Sequence, residues 1–146
     1  MILYLDNSFL NRPFDNPEVA INRLEGEVLF FIINLAEKGK VQLANSSVIE
    51  YENSLNPFLN RKAFVEEILS RTKIYQNVNT QIEKRSRQLI EKSGLTPIDA
   101  LHLEAAEYTA VDLFITSDYN IIKKYKGDLK VIAPLDFIKL YENTNN

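Results

Sequence analysis

The chain of 146 residues contains no cysteine, which removes disulfides, zinc–thiolate sites and cysteine nucleophiles and fits a reducing, cytoplasmic setting. An excess of positive charge is missing too: 17 basic residues face 20 acidic ones, for a formal net charge of −3. That excludes a body that grips nucleic acid through phosphate contacts alone, so any nucleic-acid site must be local or assisted by a metal. No apolar run reaches the ~20 residues of a membrane span. The opening run Met1–Leu5 meets Asp6 without a basic leader, and no signal peptide is expected. Internal repeats and low-complexity tracts are also absent.

What is present is ordinary for a globular protein, with 45% hydrophobic and 25% charged residues. The length predicts one domain over 1–141, with a loose tail over 142–146. The unbroken apolar run at 2–5 predicts a strand buried on both faces; 41–44 reads as a second strand and 113–116 as a further buried one, with shorter strands at 74–75 and 131–132. Between them, helices are expected over 17–37 (capped by Asn16), from 48 to about 55, and over 62–70, 80–92, 97–110, 119–125 and 135–141. Gly26 allows a kink in the first of these. Val28, Leu29, Phe31, Ile32 and Leu35 crowd the same helix on more than one side, as a buried helix or a partner surface does. Strands alternating with helices predict a three-layer α/β/α fold with a mainly parallel sheet.

The stretch Thr96-Pro97-Ile98-Asp99 carries the sharpest local signal. Thr96 is an N-cap, Pro97 the first helical residue, and Asp99 the third; helical spacing sets Asp99 in line with Leu103, Ala106 and Ala110. A carboxylate on an apolar side needs a partner, either the cap's own N–H in a capping box or a metal ion. Ser47 and Glu50 repeat the pattern at an earlier helix start. In parallel α/β folds ligands gather beyond the carboxyl ends of the strands. Asp6, Glu50 and Asp118 follow three of the strands, and Asp99 joins them from its helix start. Four carboxylates gathered there repel one another and call for hard cations, Mg²⁺ or Mn²⁺. Such ions lower the pKa of a water and neutralise charge on a phosphodiester under attack.

In order and context, Asp6 with Ser8, Ser47-Val48-Ile49-Glu50, Pro97-Ile98-Asp99-Ala100-Leu101-His102 and Ile115-Thr116-Ser117-Asp118 resemble PIN domains, and the length and layout look like VapC-type toxins. The resemblance implies an Mg²⁺- or Mn²⁺-dependent endoribonuclease with Asp6, Glu50, Asp99 and Asp118 as catalytic and metal-binding acids. It also implies Ser8 and Thr116 as hydroxyls that orient the carboxylates, an RNA substrate, a small antitoxin partner and a homodimer. Asn120 departs from the pattern, standing where members often carry a further acid. This departure, the acidic charge and the apolar first helix keep a binding or scaffold module as the alternative. An aspartyl-phosphate enzyme using Asp6 is disfavoured, because enzymes of that kind need a second aspartate at the position of Ser8.

Among the remaining residues, Arg12, Lys123 and Lys124 are candidates for gripping RNA. Lys84, Arg85, Arg87 and Lys126 are read first as solvated helix faces. The single histidine, His102, is read as structural or as a partner of the acids rather than as a general base. Tyr4, Tyr51 and Tyr119 are read first as core filling, with base stacking as the second reading.

Overall fold

In a computed structural model, which describes residues 1–145, five parallel strands form one sheet in the order β3-β2-β1-β4-β5. They are β1 (Ile2–Leu5), β2 (Gln42–Ser46), β3 (Ile74–Gln76), β4 (Leu113–Ile115) and β5 (Val131–Ile132). The chain builds outward from β1 to β3, then returns to the other side of β1 to lay down β4 and β5. The strand order therefore reverses between β1 and β4, and a crevice opens beyond their carboxyl ends where open α/β sheets place ligands. Asp6 sits at its floor, its N–H donating to the Ile115 carbonyl at 3.0 Å.

The helices flank this sheet: α1 (Asn7–Leu10), α2 (Ala20–Glu37), α3 (Ser47–Ser54), α4 (Leu59–Leu69), α5 (Thr80–Ser93), α6 (Pro97–Thr109), α7 (Tyr119–Lys124) and α8 (Pro134–Asn145). Leu3, Phe9, Leu29, Ile32, Ile49, Leu103, Phe114 and Phe137 form the buried centre. Among the described residues no helix is long and apolar enough to cross a membrane.

Several boundaries differ from the sequence expectation for local reasons. The short helix α1 was not anticipated; Asp6 caps it by accepting the Asn7 N–H. Asn16 does not cap α2: it makes a turn by accepting the Glu18 N–H, and the helix begins at Ala20. The expected loose tail is helical through Asn145, and Asn146 lies outside the described residues.

Gly26 does not break α2. A Cβ built there would lie 3.5 Å from Pro13 Cα, an ordinary contact, so glycine accommodates the adjoining turn at Arg12–Phe14 without being required by it. Gly26→Ala is therefore expected to raise unfolding stability by about 0.5–1 kcal/mol, the usual gain for alanine in a helix interior, as read by urea denaturation.

The start of α3 moves by one residue, with consequences for the site. β2 stays paired to β3 as far as Ser46↔Gln76. Ser46 rather than Ser47 then caps α3, accepting the Ile49 N–H at 3.1 Å. Ser47 Oγ instead accepts the Val78 N–H at 2.9 Å.

Candidate metal centre at the carboxyl edge of the sheet

Asp6 is buried and held from three sides. Its Oδ1 accepts the Asn7 N–H at 2.9 Å, and its Oδ2 accepts the hydroxyls of Ser8 at 2.9 Å and Thr116 at 2.7 Å. Thr116 is shared, since its Oγ1 also accepts the Asp118 N–H at 2.9 Å. Two strand ends are thereby locked together through one carboxylate, and Asp118 is set beside the crevice at the start of α7. There it caps the helix by accepting the Asn120 N–H at 3.0 Å.

Asp99 comes in from the start of α6. The Thr96 hydroxyl accepts its N–H at 3.3 Å, which is the cap half of a capping box. Its carboxylate feels the rest of the cluster. Burial first, then the charge of Asp6, and to a smaller degree that of Asp118, push its pKa from the ordinary 3.8 up to about 6, against the lowering effects of Thr96 and His102. Burial and neighbouring like charge both disfavour the ionised form, and a bound cation would oppose both.

The second acid is not the expected one. With Ser46 as cap, Glu50 is exposed on α3 and lies against Tyr75, whose phenol is raised by burial and then by Glu50. Glu52 is about 200° further round the helix and points inward. Asp6, Glu52 and His102 each offer a ligand atom, and the three atoms lie within 4.8 Å of one another. Glu50 does not join Asp6; Glu52 does.

His102 is fully buried and links Glu52 to the core. Its Nε2 lies 2.8 Å from Glu52 Oε1, its Nδ1 2.7 Å from the Tyr4 hydroxyl, and the Tyr4 hydroxyl 2.7 Å from Ser46 Oγ. The direction of this chain follows from its end. An ionised carboxylate only accepts, so Nε2–H donates to Glu52, Nδ1 accepts from Tyr4, and Tyr4 accepts from Ser46. Burial holds the Tyr4 phenol well above its ordinary value, so it keeps the proton it donates. With one histidine in the chain, ¹⁵N NMR at pH 8 is expected to show a single imidazole in the Nε2–H form. In Tyr4→Phe, which deletes the donor to Nδ1, the Nε2–H form should persist, because Glu52 still accepts that proton; an Nδ1–H form in the wild type would contradict the direction assigned.

The donor set suits a hard divalent ion. Asp6 and Glu52 could supply oxygen ligands, with Asp99 and Asp118 as further carboxylates close enough for their charges to be felt, while both nitrogens of His102 are engaged.

A family model for the PIN domain matches residues 3–127. The chain belongs to the PIN-domain family. Solved structures share the fold of this PIN domain. VapBC2 from Rickettsia felis, bound to a DNA fragment from its promoter, aligns at 17% identity and a TM-score of 0.60 over 91% of this chain and 98% of the other. DNA-bound VapBC from Salmonella typhimurium gives 17% and 0.58 over 92% and 98%. VapC20 from Mycobacterium tuberculosis, a toxin that cleaves the sarcin–ricin loop, gives 12% and 0.59 over 88% and 98%. No curated protein matches.

Several basic residues of this PIN domain are committed to ion pairs within the protein. Arg12 is an internal bolt: its Nε donates to the fully buried Glu25 at 2.8 Å and its Nη1 to Asp15 at 3.0 Å, while Tyr119 donates to the other Glu25 oxygen at 2.8 Å. Arg85 pairs across to α6 through Glu104 and Glu107. Lys123 and Lys124 are exposed on α7. Tyr4 fills the core, stacked on Phe114 with ring centroids 5.1 Å apart; Tyr51 and Tyr119 are exposed. Removing Arg12 strands a buried carboxylate, so Arg12→Ala is expected to lose about 3 kcal/mol of stability in urea melts.

Proposed function

We propose that this PIN domain is a divalent-metal-dependent endoribonuclease and the toxin of a toxin–antitoxin pair. The observation that carries the reading is the acidic cluster where the strand order reverses: ligand atoms of Asp6 and Glu52 lie within 4.8 Å of each other, and Asp6 and Asp118 add to the burial that raises Asp99 to about 6. Bound there, Mg²⁺ or Mn²⁺ supplies positive charge to the phosphodiester and lowers the pKa of a water. The chain's own part is positional. Ser8, Thr116 and the Asn7 N–H fix Asp6, while the Tyr4–His102 pair presents Glu52. Thr116 and Thr96 set Asp118 and Asp99 at their helix starts. Such preorganisation keeps carboxylates in place without reorganisation as charge develops.

The antitoxin partner is supported by the VapBC complexes among the fold relatives and by apolar surface on this chain. An 820 Å³ cleft between α2 and α4 is lined by Phe30, Ile33, Phe64 and Ile68, and Phe30 and Phe31 are themselves exposed. A homodimer rests on the resemblance alone. Calorimetry with Mn²⁺ tests the metal centre. The wild type is expected to bind at least one ion, and Asp6→Asn at least ~10-fold more weakly, the scale of losing a group that secures a site. Equal binding by both proteins would contradict the assignment.

A further inference from the structure

Glu25, on α2, is a buried charge outside the acidic site that is bonded to the residue beside Asp118. It has no exposed surface, less than either Asp6 or Glu104. Its carboxylate is divided between two segments far apart in the chain: Oε1 accepts from Arg12 Nε and Oε2 from the Tyr119 hydroxyl, both at 2.8 Å. Arg12 Nη1 is held in turn by Asp15 at 3.0 Å, and Asp15 accepts from Arg61 Nη1 at 3.2 Å, while Arg61 Nη2 donates to the Phe14 carbonyl at 2.8 Å. One side of the network is therefore fixed to α2, to α4 and to the turn at Arg12–Phe14. The other side is Tyr119, the first residue of α7. A buried ion pair adds little net stability over apolar side chains of similar volume. What a carboxylate supplies at this place is a fixed arrangement, with two acceptor oxygens aimed at two donors.

What is arranged is the start of α7. Asp118 caps this six-residue helix with Oδ1, which accepts the Asn120 N–H at 3.0 Å, and its own N–H donates to Thr116 Oγ1 at 2.9 Å. Asp118 Oδ2 makes no hydrogen bond among the described residues, and where it points depends on how the helix start is held. A helix this short does not hold its direction alone. Ile121 seats it in the core, but apolar burial has no preferred direction. Direction comes from hydrogen bonds. Thr116 tethers the helix start to the end of β4, and the Tyr119–Glu25 bond tethers it to α2. We infer that Glu25 is a positioning residue for the metal centre, which through the Tyr119 hydroxyl aims Asp118 at the acidic crevice from outside the site. The inference rests on the reading of Asp118 as one of the site acids and extends that centre to α2.

Calorimetry with Mn²⁺ and no RNA tests it, at a temperature where every protein is folded. Tyr119→Phe keeps the ring and deletes only the donor. It should bind Mn²⁺ ~10-fold more weakly, the low end of the loss on removing an outer partner of a ligating group. Arg12→Ala takes the other donor from the same carboxylate and should melt lower than wild type. Its Mn²⁺ affinity should nevertheless stay within about twofold, the scatter of independent sites, because the Tyr119 bond is untouched. In the Arg12→Ala background, Glu25→Gln retains an acceptor for the phenol and should keep the affinity, whereas Glu25→Leu should lose it as Tyr119→Phe does. Added to Asp118→Asn, Tyr119→Phe should weaken binding no further, since the two residues act as one unit. Equal affinity of wild type and Tyr119→Phe overturns the assignment. Equal losses in Tyr119→Phe and Arg12→Ala, the mark of general loosening, also overturn it, as does full additivity with Asp118→Asn. Wild-type protein that binds Mn²⁺ without these differences defeats the positioning role alone. The differences without any RNA cleavage defeat the ribonuclease reading alone, and wild-type protein that binds no Mn²⁺ defeats both.

Discussion

Replacing Glu52 by Gln should reduce metal-dependent RNA cleavage by about 100-fold or more, the scale of removing one group that stabilises transition-state charge. Glu50→Gln should leave it within about twofold, the range of a surface change remote from the chemistry. The two residues are neighbours on α3, equal in charge and two positions apart, so the comparison controls for composition and helix propensity. Only Glu52 reaches the cluster, 2.8 Å from His102 and with a ligand atom within 4.8 Å of one on Asp6; Glu50 is exposed against Tyr75. Initial rates on one RNA, with melting temperatures recorded for both variants, measure the difference. Similar losses in both would mean that α3 presents its acids differently from the geometry described.

Asp99→Asn is expected to move stability and function in opposite directions. The folded protein holds a proton on Asp99 up to about pH 6, whereas in the unfolded chain the group titrates near its ordinary 3.8. Between those values the folded state binds more protons, so the metal-free wild type loses stability as pH rises from about 4 to about 6 and stays level above that. Asparagine carries no such charge. Metal-free Asp99→Asn should therefore be more stable than wild type at pH 7.5, by about 1 kcal/mol once solvent screening of this half-buried group is allowed for. The advantage should fade below about pH 4. Adding Mg²⁺ should reverse the order, because an ion that binds only the folded wild type stabilises it by mass action. Melting curves of both proteins at pH 4 and 7.5, with and without Mg²⁺, show the crossing if the acids form one metal site.

Much of this arrangement was legible in the chain because it is encoded locally. The runs at 2–5 and 113–115 are apolar on both faces, so the parallel sheet follows, and with it the placement of Asp6 and Asp118 beyond strand ends. Thr96-Pro97-Ile98-Asp99 announces its own helix start, which the structure places within a residue. The second acid was lost to a tertiary effect. Ser46 and Ser47 are both good caps, and the choice between them is made by pairing of β2 with β3 as far as Ser46↔Gln76 and by Tyr4 bonding to Ser46. Neither bond can be seen in the segment itself. A one-residue shift in the cap turns a helix by about 100°, which takes Glu50 out of the site. The clue that remained was His102, a lone imidazole one turn beyond Asp99 that needs an acceptor. The ion pairing of Arg12 was hidden for a similar reason. Its partner Glu25 sits on another helix, and a basic residue in a loop after Asp6 looks free until that helix is packed against it.

The central claim is that the converging acids, holding a divalent ion, cut RNA. The most direct measurement is incubation of the purified protein with structured and single-stranded RNAs in Mg²⁺, Mn²⁺ or EDTA, beside an Asp6→Asn control that keeps its melting temperature. Cleavage with either metal, none in EDTA and none in the control is the predicted result. RNA left intact under all conditions, although Mn²⁺ binds, would contradict it and make the domain a metal-binding module; cleavage that persists in Asp6→Asn would place the chemistry elsewhere.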